Sequence, residues 1–157
     1  MFRPMRRFKQ QISHEECVKI LTEEKRGVLS VNGDDGYPYG VPINFWYDSD
    51  ADRIYFHCAK EGHKLDAMTR DDKVCFTVYN SGYQKEDWSY YVTSVIVFGR
   101  AKVMTDESEM REKIKKFGMK YYPTESEVDE EIRKDFARVN FVEITPEHIT
   151  GKLVHEK

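Results

Sequence analysis

At 157 residues the chain is long enough for one domain with a real core, and its formal charge of −3 provides no global basic field to recruit nucleic acid. Charged residues make up 34% and mean hydropathy is −0.72, yet ten tyrosines and nine phenylalanines give a substantial aromatic load. That combination places the apolar surface on strands and at an interface. No run approaches membrane-spanning length and the basic segment Met1–Lys9 lacks a signal-peptide apolar centre, so a soluble, cytoplasmic protein with no membrane partner is expected. Cys17, Cys58 and Cys75 show neither CxxC nor Cys/His ligand spacing and read as reduced thiols, not a disulfide frame or zinc site.

Residues 1–157 read as a single domain, with residues 1–11 as a basic N-terminal arm lying on the domain or on a partner subunit. Ser13-His14-Glu15-Glu16 is a capping box, Ile12 and Cys17 are placed as a hydrophobic staple, and Val18, Ile20 and Leu21 supply an apolar helix face. Lys25-Arg26-Gly27 stops that helix. Val28–Val31 is a buried strand, and the glycine- and aspartate-rich residues 32–36 are a hairpin turn. Tyr39–Tyr47 returns as a strand that contains Pro42. A proline cannot donate to a ladder, so this strand is at an edge, bulges or meets a ligand there. Residues 48–52 turn into a third strand, Arg53–Cys58, and Lys73–Tyr79 is a fourth.

After the polar residues 80–87 comes the longest β-rich stretch, Trp88–Met104, in which Gly99 marks a bend or bulge. A helix begins near Thr105, acidic at its front and lysine-rich at its rear, and ends before Pro123. Glu125–Phe136 is a second helix, Arg138–Ile144 alternates as a strand, and residues 149–154 extend it. About six strands in meander order predict a mainly β (α+β) fold, an antiparallel barrel with helices outside.

The chemistry-bearing stretch is 54–68. The strand Ile54-Tyr55-Phe56 leads through His57, Lys60, Glu61 and Gly62 to a helix starting near His63 and Lys64. A strand running into a helix start through glycine leaves backbone N–H groups outward, and the helix dipole adds to them; Lys64 supplies a cation at the same point. Phosphate is the anion that suits it. No GxGxxG, GxxxxGK[ST], GxSxG or HExxH occurs, so the standard nucleotide loops, nucleophile elbow and zinc-protease pattern are absent. A lone strand histidine is more often structural than functional. His57 gains interest from its company, with Lys64, the helix amides and the neighbouring Pro42, Asn44 and Phe45 expected to converge.

Taken together, Gly27-Val28-Leu29-Ser30-Val31, Gly36-Tyr37-Pro38-Tyr39, Val41-Pro42-Ile43-Asn44-Phe45, the FHxAxEGxK element at 56–64, Ser94–Ala101 and Ile149-Thr150-Gly151-Lys152 resemble the FMN-binding split-barrel superfamily. The likeness is greatest to the pyridoxamine-phosphate-oxidase-related branch that includes the nitroimidazole-resistance reductases, and it spans nearly the whole chain. It implies a homodimer of six-stranded split β-barrels with FMN at the subunit interface. It further implies His57 as the active-site residue near the flavin, and Pro42, Ile43 and Asn44 lining the isoalloxazine. On the same resemblance Glu61, Gly62, His63 and Lys64 hold the phosphate edge, Ser94 reaches the phosphate, and Lys152 arrives from the partner subunit. The C-terminal arginine–histidine signature of the oxidase proper is missing, so pyridoxine phosphate oxidation is not expected. The expected activity is FMN-dependent transfer of reducing equivalents from NAD(P)H to a small organic acceptor, nitroaromatic compounds among the candidates. The alternatives are flavin storage or sensing without turnover, and haem binding in a related barrel.

Overall fold

A computed structural model describes residues 1–156. The capping box forms: Ser13 Oγ accepts from the Glu16 amide at 3.1 Å, and the Glu16 carboxylate accepts from the Ser13 amide at 2.8 Å. The helix α1 (His14–Glu23) that follows buries Cys17, Ile20 and Leu21. Eight strands make one sheet: β1 (Arg26–Asn32), β2 (Pro38–Asn44), β3 (Trp46–Asp48), β4 (Arg53–Ala59), β5 (Lys73–Tyr79), β6 (Tyr83–Gln84), β7 (Tyr90–Val103) and β8 (Val139–Glu156). Their order is β2-β1-β5-β7-β8-β4-β3, every pairing antiparallel, with β6 a short flap on β7.

Two features depart from the sequence expectation. The strand count is eight instead of six, because the run 39–47 breaks at Phe45 and Tyr83–Gln84 adds a small rung. Nor is the order a simple meander. The chain bends at Phe45, whose ring is fully buried, so that β2 returns along β1 while β3 pairs with β4 at the far end of the order. Pro42 accordingly stands on an outermost strand, opposite Val28, where its missing donor costs no inner ladder bond. Gly99 marks a bulge as expected. The β7–β8 register shifts between Phe98 and Gly99, and a Cβ at Gly99 would collide with the Thr145 carbonyl.

Leu29, Val31, Phe56, Phe76, Val95 and Val97 fill the curled sheet with almost no exposure, joined by the buried face of α1. A second cluster lies on the outside of β4 and β8, where Tyr55 and Phe141 stack and meet Met110 and Phe117. It is roofed by α3 (Glu107–Met119) and α4 (Glu125–Asp135). Asp106 caps α3, Thr124 and Glu127 form a capping box on α4, and Lys115 bridges the pair through Glu125 at 2.6 Å and Asp129 at 3.1 Å.

The roof is pinned to the barrel at two points. Lys113 pairs with buried Asp48 at 3.0 Å; burial raises the Asp48 pKa, but the Lys113 contact and the Ala51 and Asp50 amides outweigh it and hold the carboxyl below its usual range. At the other end, the Tyr121 hydroxyl accepts from the Phe45 amide at 2.9 Å and donates to the Lys25 carbonyl at 2.6 Å. The arm folds back on its own barrel: Gln11 bridges to Lys152, and Phe2 stacks on Phe98 and His148. Among the described residues no helix is long and apolar enough to cross a membrane.

Candidate functional site

Side chains alternate along β4, so Ile54, Phe56 and Cys58 enter the core while Tyr55, His57 and Ala59 face outward. Tyr55 is covered by the helical roof, whereas His57 keeps an exposed edge and sets its ring edge-on to Phe117, centroids 5.4 Å apart. Crowding by these neighbours pushes the His57 pKa down, and the positive charge of Lys64 lowers it further. The imidazole is therefore neutral at pH 7 and can either donate or accept a hydrogen bond.

Beyond Ala59 the chain reaches Gly62, at φ +137°, and enters α2 (His63–Arg70). The first turn of α2 has no side-chain cap, and a Cβ placed on Gly62 would meet nothing within 4 Å. The backbone donors of this helix start thus have no side-chain acceptor at the N-cap. Lys64 stands beside them, half-buried and with no ion-pair partner among the described residues. Uncapped amides, the positive end of a helix and an unengaged cation are the requirements of an oxyanion cradle. Cys58, whose thiol burial pushes up, is held neutral behind it.

The other residues expected at this point are arranged differently. His63 turns toward the β1–β2 hairpin, stacking on Tyr39 with centroids 4.1 Å apart and lying 3.7 Å from the Asp34 carboxylate. Asp34 is also held by Arg70 at 3.2 Å, so the His63 ring braces α2 against the hairpin. Glu61 is exposed on the lip. Pro42 and Asn44 are exposed on β2, but Ile43 packs against the core, and β2 pairs with β1 instead of β4. The expectation that Pro42–Asn44 occupy the strand beside His57 is therefore corrected, the reason being the bend at Phe45.

Ser94 and Lys152 are directly opposed across β7 and β8, with Tyr79 on the other side of Ser94. Asn140, which pairs with Cys58 beside His57, lies twelve residues from Lys152 along β8. At the usual strand rise that is roughly 40 Å of chain. Within one chain these two residues do not join His57 and Lys64.

The sequence reading missed the wall opposite His57. A cavity of about 180 Å³ opens between α3, α4 and the start of β8, with His57 on one side and Phe117, Ile132, Phe136 and Phe141 around it. Its signal was present as Ile114 and Phe117 on α3 and as Val128 and Ile132 on α4, with Phe136 four residues further on just past its end. A serine–histidine–aspartate trio, Asp87, Ser89 and His155, also occurs, but both partners meet Ser89 Oγ. Ser89 is 1% exposed, which leaves its hydroxyl closed to a substrate, and the trio anchors the end of β8.

A curled antiparallel sheet flanked by helices, carrying an uncapped helix start beside an outward strand histidine, defines a protein of the split-barrel class. Residues 13–153 match the profile of the pyridoxamine 5'-phosphate oxidase family, and the chain belongs to that family. A candidate 5-nitroimidazole antibiotic resistance protein from Bacteroides thetaiotaomicron superposes with a TM-score of 0.77 at 21% identity, covering 93% of this chain and 87% of that one. A FAD-binding protein from Mesorhizobium loti gives 0.68 at 25% identity, covering 92% and 96%. A flavocytochrome from Azotobacter vinelandii gives 0.73 at 19% identity, covering 96% and 72%. A comparison with curated proteins found no match.

Proposed function

We propose that the chain is an FMN-dependent oxidoreductase that passes reducing equivalents from NAD(P)H to a small organic acceptor, working as a homodimer. The observation that carries this reading is the uncapped start of α2 at Gly62 with Lys64 unpaired among the described residues, a cradle for one phosphate next to an outward-facing neutral histidine. Family membership supports a flavin as the group that fills it, and the Mesorhizobium loti neighbour binds FAD. One cradle suits the single phosphate of FMN. Nothing lies within 4 Å of a Cβ built at Gly62, so the chain leaves this lip of the helix start unobstructed.

When bound, the flavin would supply the hydride and electron chemistry. The protein's own part is positional and electrostatic. Lys64 and the α2 amides neutralise the phosphate, and the backbone near Pro42–Asn44 offers an exposed edge to a ring system. His57, neutral at pH 7, offers a hydrogen bond at that rim without adding charge. Two copies are part of the reading. Tyr79, Ile96 and Phe98 lie on outward strand positions of β5 and β7 at 60%, 37% and 41% exposure, an apolar face suited to a second copy. A partner would also bring its Ser94 and Lys152 to a cradle that one chain's own pair does not approach.

The absorbance spectrum of purified protein is the first test. Flavin bands support the reading, whereas a Soret band would replace it with haem binding. Mass spectrometry of the released cofactor should show FMN, and FAD as the sole species would refute the single-phosphate argument. Acceptor-dependent NAD(P)H oxidation then separates a reductase from a flavin store.

A further inference from the structure

We infer that the cavity beneath α3 and α4 is a binding pocket for an uncharged, single-ring aromatic molecule, with His57 as a neutral polar anchor. The inference rests on the flavoprotein reading only in identifying that molecule as the electron acceptor; the pocket itself is argued from its walls. Its volume, about 180 Å³, exceeds the packing voids of an ordinary core and is comparable with cavities of about 150 Å³ that take up benzene. It is too small to hold a three-ring flavin with its sugar chain whole.

The walls select for shape and charge. Ile114, Phe117, Val128, Ile132 and Phe136 present flat and branched apolar surface, and Tyr122 adds a ring with a hydroxyl, a lining that favours a planar ring over a sugar or a polar chain. Among the described lining residues there is no lysine or arginine, while Glu131 and Asp135 sit one helical turn apart on α4. Their own partners, Lys134 at 3.8 Å from Glu131 and Arg138 at 3.5 Å from Asp135, are half-exposed or more, so the carboxylates keep a negative potential at the rim. An anionic ligand would have to pass those two carboxylates and then enter an apolar interior with no counter-charge, a double cost. An uncharged ring with one hydrogen-bonding substituent meets neither cost, and neutral His57 can donate to or accept from that substituent.

The test uses three isosteric probes on the protein as purified: benzamide (neutral), benzoate (anionic) and benzylamine (cationic). Amide chemical shifts are followed by NMR. Benzamide should bind saturably, with a dissociation constant on the order of millimolar, as suits a fragment. It should move the amides of Phe117, Gly118 and Ile132, with benzoate at least tenfold weaker. Ile132→Phe, which fills the cavity from a partly exposed helix position, should abolish the shifts. Glu131→Lys should narrow or invert the benzamide–benzoate ratio with the pocket still open, so a misfolded Ile132→Phe would not remove the test.

Equal affinity for benzamide and benzoate, benzylamine as the preferred probe, or no shifts at α3 and α4 would each overturn the inference. Turnover of an acceptor by flavin-loaded protein with no benzamide shifts would overturn the pocket and leave the reductase standing. Benzamide binding in a protein that carries no flavin would do the reverse.

Discussion

Lys64 and His57 are separable because they act on different objects. On the proposed reading Lys64→Ala would remove a cation from a phosphate at a helix start, a charge-assisted contact that contributes roughly 1.5–3 kcal/mol, or about a ten- to hundredfold change in dissociation constant. Flavin titration of the purified variant should show that loss, and the loss should shrink at high salt. His57→Ala should leave flavin bound and slow acceptor turnover. Near-wild-type affinity for Lys64→Ala would remove the phosphate cradle. The two residues are also coupled electrostatically. Burial lowers the His57 pKa first and the Lys64 charge lowers it further, so Lys64→Ala should raise it while leaving it below 6.5. Following the His57 ring protons by NMR against pH checks this, and an unchanged midpoint would mean that the two side chains do not share a field.

At the scale of elements, the helical roof is the part whose stability should report pH. Lys120, at the end of α3, donates to the Phe45 carbonyl at 3.1 Å and to the Glu24 carbonyl, and its Nζ lies 4.2 Å from the Phe45 ring centroid. Burial pushes its pKa from 10.5 down to about 8. Below pH 8 both folded and unfolded chains carry the proton, and the fold bears the full cost of burying it. Between about pH 8 and 10.5 the folded protein has released the proton while the unfolded chain still holds it, so stability rises with pH through that window. The gain is on the order of 1–3 kcal/mol. Thermal melts from pH 7.5 to 10.5 should show this rise superimposed on the background, and Lys120→Met should flatten it. A wild-type curve that falls as steeply as the variant's would show that the carbonyl bonds keep Lys120 charged. Tyr121 beside it is pushed up to about 12 by burial and stays neutral across the window.

For the whole molecule the question is what covers the outer sheet. Tyr79, Ile96 and Phe98 stand on adjoining outward positions, each more than a third exposed, with Phe2 of the arm stacked on Phe98. A second copy would bury them and bring Ser94 and Lys152 within reach of a neighbouring cradle. Sedimentation should therefore show a dimer at micromolar concentration. Ile96→Asp, which puts a charge at the centre of that face, should shift the population to monomer and weaken flavin binding together. A flavin-loaded wild-type monomer at that concentration would rule out the shared site.

The sequence by itself determined the local pieces, because each is decided by neighbours along the chain. The Ser13–Glu16 capping box, the glycine turn after Asn32, the bulge at Gly99 and the uncapped helix start at Gly62 all depend on residues within a few positions of one another. The tertiary structure alone decided which pieces meet. The bend at Phe45, fixed by Tyr121 from 76 positions away, carries β2 to β1 and denies Pro42–Asn44 the place beside His57. Asp34 and Tyr39 claim His63 across the hairpin, a competition between side chains that no spacing along the chain records. The cavity at His57 exists only because α3 and α4, each readable as an amphipathic helix, settle on the outer face of β4 and β8. Periodicity tells which face of a helix is apolar, but packing against a distant strand decides what that face encloses.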